Sequence, residues 1–412
     1  MNRKILIFCL ILIIILVARF VFFYQNREVY QDKQQVNFQT KILSEPQVVV
    51  SRQSLSANLP NGERVYVTVS IDSSFNYGDD LNISGTLKKS LLKDGRSIWT
   101  ISYPKIEVRE SWFALKFISS IRQKIISLFE RTLSQTSSSL LLGIVFGIKE
   151  QMSSDFLREL RIVGVLHVIA ASGMNVVMVG GFLSALFSFF LKRQIALTLS
   201  ILGIIFYAVL AGLEPSIIRA SIMGGLVFTS QILGRQNSAP YALGLSAFLM
   251  LFVSPILISD VGFQLSFVAT AGLLYIRPVF DRGRLKPLIE KSIVGEDIAT
   301  TISAQIATFP ILLANFGAYS LWSILVNALV LWTVPILMIL GGIGAVVGFF
   351  SVFLGEIFIF LCLPFLLYFE KIVSIFGKNS ALLNLQSVPW QISVGYYSII
   401  LALIFFVRAK NR

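Results

Sequence analysis

Long apolar stretches separated by short polar turns occupy most of this 412-residue chain. A helix needs about 20 residues to cross roughly 30 Å of hydrocarbon. Stretches of that length recur from Ile5 to Tyr24 and from about Arg161 to Val407. They predict about ten transmembrane helices, of which the first, residues 1–25, is expected to remain as an N-terminal anchor because no small-residue cleavage site follows it.

Residues 33–109 have a different pattern, in which apolar and polar positions alternate. In the run ERVYVTVSI, Val65, Val67, Val69 and Ile71 lie on one face of a predicted strand. About five such runs, separated by turn residues, predict a small β-barrel of the OB type. The aromatic side chains of this domain are expected mainly in its core, with stacking on single-stranded nucleic acid as the alternative. They are Phe38, Tyr66, Phe75, Tyr77, Trp99 and Tyr103.

Residues 111–134 follow a helical period and carry too much charge to span a bilayer. We expect an interfacial amphipathic helix that lies on the membrane. Its apolar face holds Ile118, Ile121, Ile125, Leu128 and Phe129, and its basic residues are Lys116, Arg122, Lys124 and Arg131. Residues 138–408 then form the transmembrane domain.

Composition supports a membrane protein, because 55% of the residues are hydrophobic and 14% are charged, whereas a soluble domain has about 25% charged residues. The mean hydropathy is +0.77. Basic residues cluster before the first span and in the loop from Arg277 to Asp297. The positive-inside rule therefore predicts that both termini are cytoplasmic and that residues 26–135 are extracytoplasmic.

The cysteine and histidine content excludes several kinds of site. Cys9 and Cys362 both lie in apolar segments, and His167 is the single histidine. The chain therefore offers neither a disulfide framework nor a multi-histidine metal site. It also lacks a phosphate-binding P-loop and a nucleophile elbow. We expect no metal, no cofactor and no catalytic residue.

Polar residues within the apolar segments are the candidates for function, because such residues are costly in a membrane and usually face a bundle interior or an aqueous path. Arg219 is equally compatible with snorkelling at a helix end and with a pore-facing cation for phosphate. Asn327 lines the cavity or, alternatively, only holds two helices together. Asp260 and Gln264, four residues apart, should share a helix face. The predicted pore or cavity lining is His167, Ser172, Gly173, Asn175, Arg219, Asp260, Gln264, Gln305 and Asn327.

The segment LLLGIVFGIKEQMSSDFLRELRIVGVLHVIAASGMNV resembles the signature region of ComEC-type competence proteins. The similarity continues through EPSIIRASIMGGLVFTSQILGR and SPILISDVGFQLSFVATAGLLY to SAQIATFP and LWSILVNALVLWTVP. Together with the preceding OB-like domain, it covers nearly the whole chain.

This resemblance implies a multi-pass channel in the bacterial cytoplasmic membrane that passes single-stranded DNA inward during DNA uptake. It further implies membrane lipid around the helices, an extracytoplasmic DNA receptor and a cytoplasmic ATP-driven motor as partners. Two departures from the family pattern stand out. Asn175 occupies a position where members commonly carry a second histidine, and the chain corresponds to the form without the C-terminal metallo-β-lactamase-like domain.

Two other classes of function remain open at this point. A membrane-embedded enzyme, or a lipid-modifying protein on a related scaffold, would use His167 and Asp260 as acid and base. A structural anchor would only display the OB-like domain. Hydrogen-bond contact between those two side chains favours the enzyme, a polar path favours the channel, and an unbroken apolar bundle favours the anchor.

Overall fold

The computed structural model comprises two compact units. Unit 1 is Met1–Ser127 with Ala247–Ile258, and unit 2 is Leu128–Ser246 with Ser259–Arg412. The structure describes residues 3–42, 47–49, 52–70, 75, 77–91, 97–109, 113–149, 151–169, 172–236, 238–282, 295–316, 318–320, 322–378, 382–384 and 390–410. Most of the predicted basic loop, residues 283–294, and Ile71 lie outside the described residues.

Most of the described chain is helical. The helices are α1 Arg3–Gln25, α2 Phe113–Thr132, α3 Gln135–Phe146, α4 Ser154–Val163, α5 Leu166–Ile169, α6 Gly173–Phe190, α7 Arg193–Leu210, α8 Pro215–Ile232, α9 Ala239–Val253, α10 Val261–Tyr275, α11 Arg277–Arg282, α12 Gly295–Phe316, α13 Ser323–Val330, α14 Thr333–Gly348, α15 Val352–Phe360, α16 Leu363–Gly377 and α17 Trp390–Lys410. A 3₁₀ turn, Pro255–Ser259, precedes α10.

Four described helical stretches are long and apolar enough to cross a membrane, namely Leu166–Phe190, Arg193–Leu210, Val261–Phe280 and Ile298–Asn315. Two more crossings result if α13 with α14, bent by 46°, and α15 with α16, bent by 42°, each count as one. In four other described helices the apolar stretch has only 10–17 residues; these stretches are Leu10–Gln25 in α1, Gln135–Phe146, Ala239–Val253 and Gln391–Leu403 in α17. The described helices thus support four to six crossings, and the larger number of about ten stays a prediction.

The strands of the N-terminal domain form two sheets. They are β1 Gln35–Lys41, β2 Gln47–Val49, β3 Arg52–Asn58, β4 Arg64–Ser70, β5 Asp80–Thr86, β6 Lys88–Leu91, β7 Ser97–Ser102 and β8 Lys105–Arg109. One sheet has the order β1-β5-β8 and the other β2-β3-β4-β7-β6. The pair β4 and β7 is parallel, and the other pairs are antiparallel. The described pairings do not close a barrel, so the OB-type barrel stays a prediction.

Alternation along β4 builds the core of this domain. Val65, Val67 and Val69 are buried, as the period of two predicts, whereas Tyr66 between them is 38% exposed. Phe38 and Tyr77 are also buried, and Tyr103 is 60% exposed. Of the six predicted aromatic residues, Tyr66 and Tyr103 therefore have the most accessible side chains.

Glu63 joins three segments of unit 1. Its carboxylate pairs with Arg27, which follows α1, and accepts hydrogen bonds from Trp99 Nε1 at 2.7 Å and Asn61 Nδ2 at 3.2 Å. The indole edge of Trp99 is therefore engaged within the domain. A second contact involves α1 itself, because Arg19 Nε donates to the carbonyl oxygen of Phe252 at 3.1 Å, near the end of α9.

Helix α2 differs from the sequence prediction at Arg122. The sequence placed this side chain with the exposed basic residues, but it is buried, and its guanidinium carbon lies 4.4 Å from the ring centroid of Tyr77. Attraction between a guanidinium and an aromatic face explains the difference. Lys116, Lys124 and Arg131 are exposed as predicted. The location of this helix on a membrane surface stays a prediction.

A short two-stranded sheet completes the described strands. It pairs β9, Ala318–Ser320, with β10, Leu382–Asn384, in antiparallel register. Because β9 immediately precedes α13, it positions the polar residues that begin that helix.

Candidate functional site

Helix α3 ends at a polar site inside unit 2. Gly147 adopts a left-handed conformation with φ of 70° and stops the helix after 12 residues. The last carbonyl groups of a helix lack intrahelical partners. Two side chains supply them here: Asn175 Nδ2 donates to Ile144 O at 2.7 Å, and Tyr207 Oη donates to Val145 O at 2.8 Å. Helices α6 and α7 are thereby anchored to the end of α3.

The start of α6 lies at the same place. Ser172 occupies the N-cap position, but its hydroxyl makes no capping hydrogen bond to the helix. It donates instead to Asn175 Oδ1 at 3.0 Å. Because Asn175 is only 1% exposed, both ends of its amide are used inside the protein. Gly173 is the first helical residue.

Arg219 on α8 extends over this helix start. It is 9% exposed, its Nε donates to Ser266 Oγ at 2.8 Å, and its Nη1 donates to Thr270 Oγ1. A Cβ atom at Gly173 would lie 2.9 Å from Arg219 Nη2, so the guanidinium closely approaches the first residue of α6. The side chain therefore packs within the bundle instead of snorkelling.

The charge of Arg219 has neutral partners only. Among the described residues, no carboxylate oxygen pairs with it within 4.0 Å. Glu214, at the N-cap of the same helix, pairs instead with Lys149 at 2.8 Å. Sequence reasoning missed the Lys149 pair, because no local pattern joins two residues 65 positions apart.

Asp260 has a capping role that the sequence analysis did not assign. It is the N-cap of α10, and its Oδ1 accepts a hydrogen bond from Phe263 N at 2.8 Å. Its carbonyl oxygen also accepts from Gln264 N at 3.0 Å, one turn along the chain, and Gln264 is half-buried within α10; a shared face of the two side chains stays a prediction. An aspartate directly before an apolar helix is itself a capping signal, and it could have been recognised from the sequence.

A second polar cluster centres on Ser323. Gln305 Nε2 donates to Ser323 Oγ at 2.9 Å, and Asn327 Nδ2 donates to the same oxygen at 3.4 Å. A Cβ at Gly164 would lie 2.8 Å from Ser323 Cβ, so the loop before α5 packs tightly here. Ser323 was missed from the sequence because a serine at the start of a helix usually serves only as a cap.

His167 lies in the short helix α5, and its side chain is exposed at the surface of the chain. It follows Gly164 by three residues, and Gly164 borders the Ser323 cluster. The structure thus brings Ser172, Gly173, Asn175 and Arg219 together, and separately Gln305 and Asn327.

The chemistry of both clusters is that of hydrogen bonding. Their groups are hydroxyls, amides and one guanidinium, which bind anions and polar groups without forming covalent bonds. In the part of the chain that the structure describes, no group of three or more His, Cys, Asp or Glu side chains is arranged to hold a metal.

Two relatives each match about half of the chain. ComE operon protein 3 of Bacillus subtilis (strain 168) is 26% identical over 213 residues, which are 52% of this chain and 26% of that protein. An uncharacterized protein of Aquifex aeolicus (strain VF5) is 30% identical over 233 residues, with 52% of this chain and 55% of that protein covered. The chain thus spans about a quarter and about half of the lengths of these relatives. No solved structure matches it.

A family model settles the classification. The model described as "Competence protein" matches residues 144–410, a range that contains both polar clusters and every predicted site residue. This agrees with the resemblance found in the sequence motifs. The chain belongs to the Competence protein family.

Proposed function

We propose that this chain forms a path through the bacterial inner membrane along which single-stranded DNA enters the cytoplasm. The observation that carries the proposal is the guanidinium of Arg219, buried among the membrane helices with hydroxyl partners from α10. A buried charged residue in a membrane domain is expensive and marks an ion or substrate pathway by default. Membership of a competence family agrees with a nucleic acid as the substrate.

The polar clusters support a conduit over the two alternatives. A structural anchor does not need buried Asn175, Arg219 and Asn327 inside its bundle. An enzyme with His167 and Asp260 as acid and base would need a free carboxylate, whereas the Asp260 carboxylate caps α10. Passage of a polyanion requires donors that replace water around phosphate, and guanidinium, hydroxyl and amide groups do this.

We propose that the β-rich domain lies on the outer side and closes as an OB-like barrel. Only Leu87 separates β5, which belongs to one sheet, from β6, which belongs to the other. A chain that changes sheets at such a bend is how corners form in barrel-like β-structures. Tyr66 and Tyr103 are then the rings available for stacking on bases. An outer DNA receptor and a cytoplasmic ATP-driven motor complete the proposed system.

The direct test is DNA uptake in cells that lack their own copy and carry either the wild type or a variant. Arg219→Gln should reduce entry of labelled DNA by about 100-fold, because a buried charged donor typically contributes 2–5 kcal/mol. Arg235→Gln is the matched control, since Arg235 follows the same helix and is exposed. Wild-type uptake by Arg219→Gln cells with a normal protein level would contradict the proposal.

The orientation is tested separately with fusion reporters. A reporter near Gly62 should be active outside the cell, and one in the basic loop near Gly283 should be active in the cytoplasm, because basic loops remain inside. The reverse pattern at either position would overturn the proposed topology.

A further inference from the structure

We infer that the N-terminus of α6 and the guanidinium of Arg219 together form a binding site for one phosphodiester group. The inference deepens the proposed function and rests on it for the source of that phosphodiester, a DNA strand. Binding of phosphate itself does not depend on the proposed transport.

The first component is the helix start. Helix α6 has 18 residues, and the amide N–H groups of a first helical turn lack the usual acceptors one turn earlier. Asn175 N donates here to Ser172 O at 3.1 Å, whereas the N–H groups of Gly173 and Met174 have no acceptor among the described residues. A serine at the N-cap normally accepts from one of them. Ser172 accepts no such bond, and its hydroxyl donates to Asn175 Oδ1. An anion at this position would take the place of the missing cap, and the helix dipole favours negative charge there.

The second, independent component is Arg219. Ser266 and Thr270 hold its Nε and Nη1 from α10, which fixes the plane of the guanidinium. The remaining nitrogen, Nη2, is the one that lies against Gly173. One buried cationic nitrogen thus lies beside the first residue of α6, on a side chain that is only 9% exposed.

The surrounding charges leave the site positive. The described partners of Arg219 are neutral, so its charge is not compensated by a carboxylate within the described residues. The nearest acidic residue along the same helix, Glu214, is paired with Lys149. A phosphodiester carries one negative charge and two free oxygens, which fits one guanidinium nitrogen and the amides of a helix turn.

Gly173 provides a test that leaves the charge unchanged. A methyl group at this position would lie 2.9 Å from Arg219 Nη2, which is too close, so Gly173→Ala must displace the guanidinium from the helix start. Gly181 on the same helix is the matched control, because a Cβ there would meet no atom within 4 Å. Gly181→Ala also raises the helix propensity of α6, since Gly181 lies in the interior of the helix.

The experiment measures binding of radiolabelled inorganic phosphate to the purified full chain in a maltoside detergent, by equilibrium dialysis at constant ionic strength. The wild type and Gly181→Ala should bind one phosphate with equal affinity. Gly173→Ala and Arg219→Gln should each bind at least about 10-fold more weakly, since a charge-assisted hydrogen bond contributes that much. Equal binding by Gly173→Ala and Gly181→Ala would overturn the site, whatever the folding of Arg219→Gln.

Competition identifies the source of the phosphodiester. A short oligothymidylate should displace the labelled phosphate from the wild type, and phosphatidylglycerol in mixed micelles should not. Displacement by the lipid alone would overturn the assignment to DNA. The two proposals fail separately, because a wild type that binds no phosphate removes the site, whereas normal uptake by Arg219→Gln cells removes the conduit.

Discussion

The β-rich domain and the helical unit both have largely apolar cores, and they differ in the polar groups that they bury. The core of the β-rich domain is a cluster of aliphatic residues and Phe38, and its charged groups, such as the Arg27–Glu63 pair, are only partly buried. In the helical unit, Asn175, Arg219 and Asn327 are buried. Burial of apolar surface drives folding in water, whereas lipid gives helices no such driving force. A buried polar group therefore needs a reason other than stability.

The largest effect should come from placing a charge in the β-rich core. Val67 has 0% exposure, and Val67→Asp should destabilise the domain by about 4 kcal/mol or more, because a buried carboxylate finds no partner among aliphatic residues. Urea unfolding of the full chain, followed by Trp99 fluorescence in a variant without its other tryptophans, measures this. Tyr66→Ser, the exposed neighbour on the same strand, should cost less than about 1 kcal/mol.

Removing a buried charge from the helical unit should cost much less stability than placing one in the β-rich core. Arg219→Leu removes hydrogen bonds to Ser266 and Thr270, and such bonds contribute about 0.6 kcal/mol each in membrane bundles. We expect a loss below about 2 kcal/mol in detergent unfolding, together with a loss of DNA uptake. Val227→Leu on the same helix serves as control. A loss as large as that of Val67→Asp would show that Arg219 is mainly structural and would remove the contrast between the two regions.

Asp260 sharpens the comparison at a smaller scale. Asp260→Ala should cost about 1 kcal/mol by removing the cap of α10, whereas Asp260→Asn keeps the capping oxygen and should leave both stability and uptake near wild type. Gln264→Ala should lower uptake without this loss of stability. If Asp260→Asn abolished uptake in cells with normal protein levels, the carboxylate charge would belong to the transport path.

The last prediction is a null result, namely that the purified chain does not cleave DNA. The purified chain should leave labelled single- and double-stranded DNA intact with or without magnesium, because a two-metal nuclease needs several carboxylates or histidines around one point. A known nuclease cutting the same substrates in parallel is the control. Metal-dependent cleavage that disappears in Asp260→Asn would contradict the proposed conduit and support the enzyme alternative.

Local patterns in the sequence predicted much of the fold. Alternation identified the buried face of β4, and length with composition identified the long apolar helices. The same reasoning failed for Arg122, because its burial depends on Tyr77, 45 positions earlier in the sequence and in another element. An amphipathic pattern describes one helix in isolation. It does not indicate that an aromatic ring from another element will cover one of the polar side chains.

The candidate site was predictable in its residues and not in its geometry. The cost of polar groups in apolar segments indicated Asn175 and Arg219. The contact of Asn175 with Ile144 O and that of Tyr207 with Val145 O could not be foreseen, since backbone carbonyls have no signature in the sequence. Tyr207 was overlooked because a tyrosine in an apolar helix is common in membranes and usually lies at an interface.

The bond between Arg19 and Phe252 sets an order of events during biosynthesis. Its two residues are 233 positions apart, and translation proceeds at roughly 5–20 residues per second. Helix α1 therefore leaves the ribosome roughly 10–50 s before the end of α9 exists. For that interval the newly made α1 lacks this hydrogen bond, so a chaperone or the insertion machinery has time to act on Arg19 before its partner carbonyl is made.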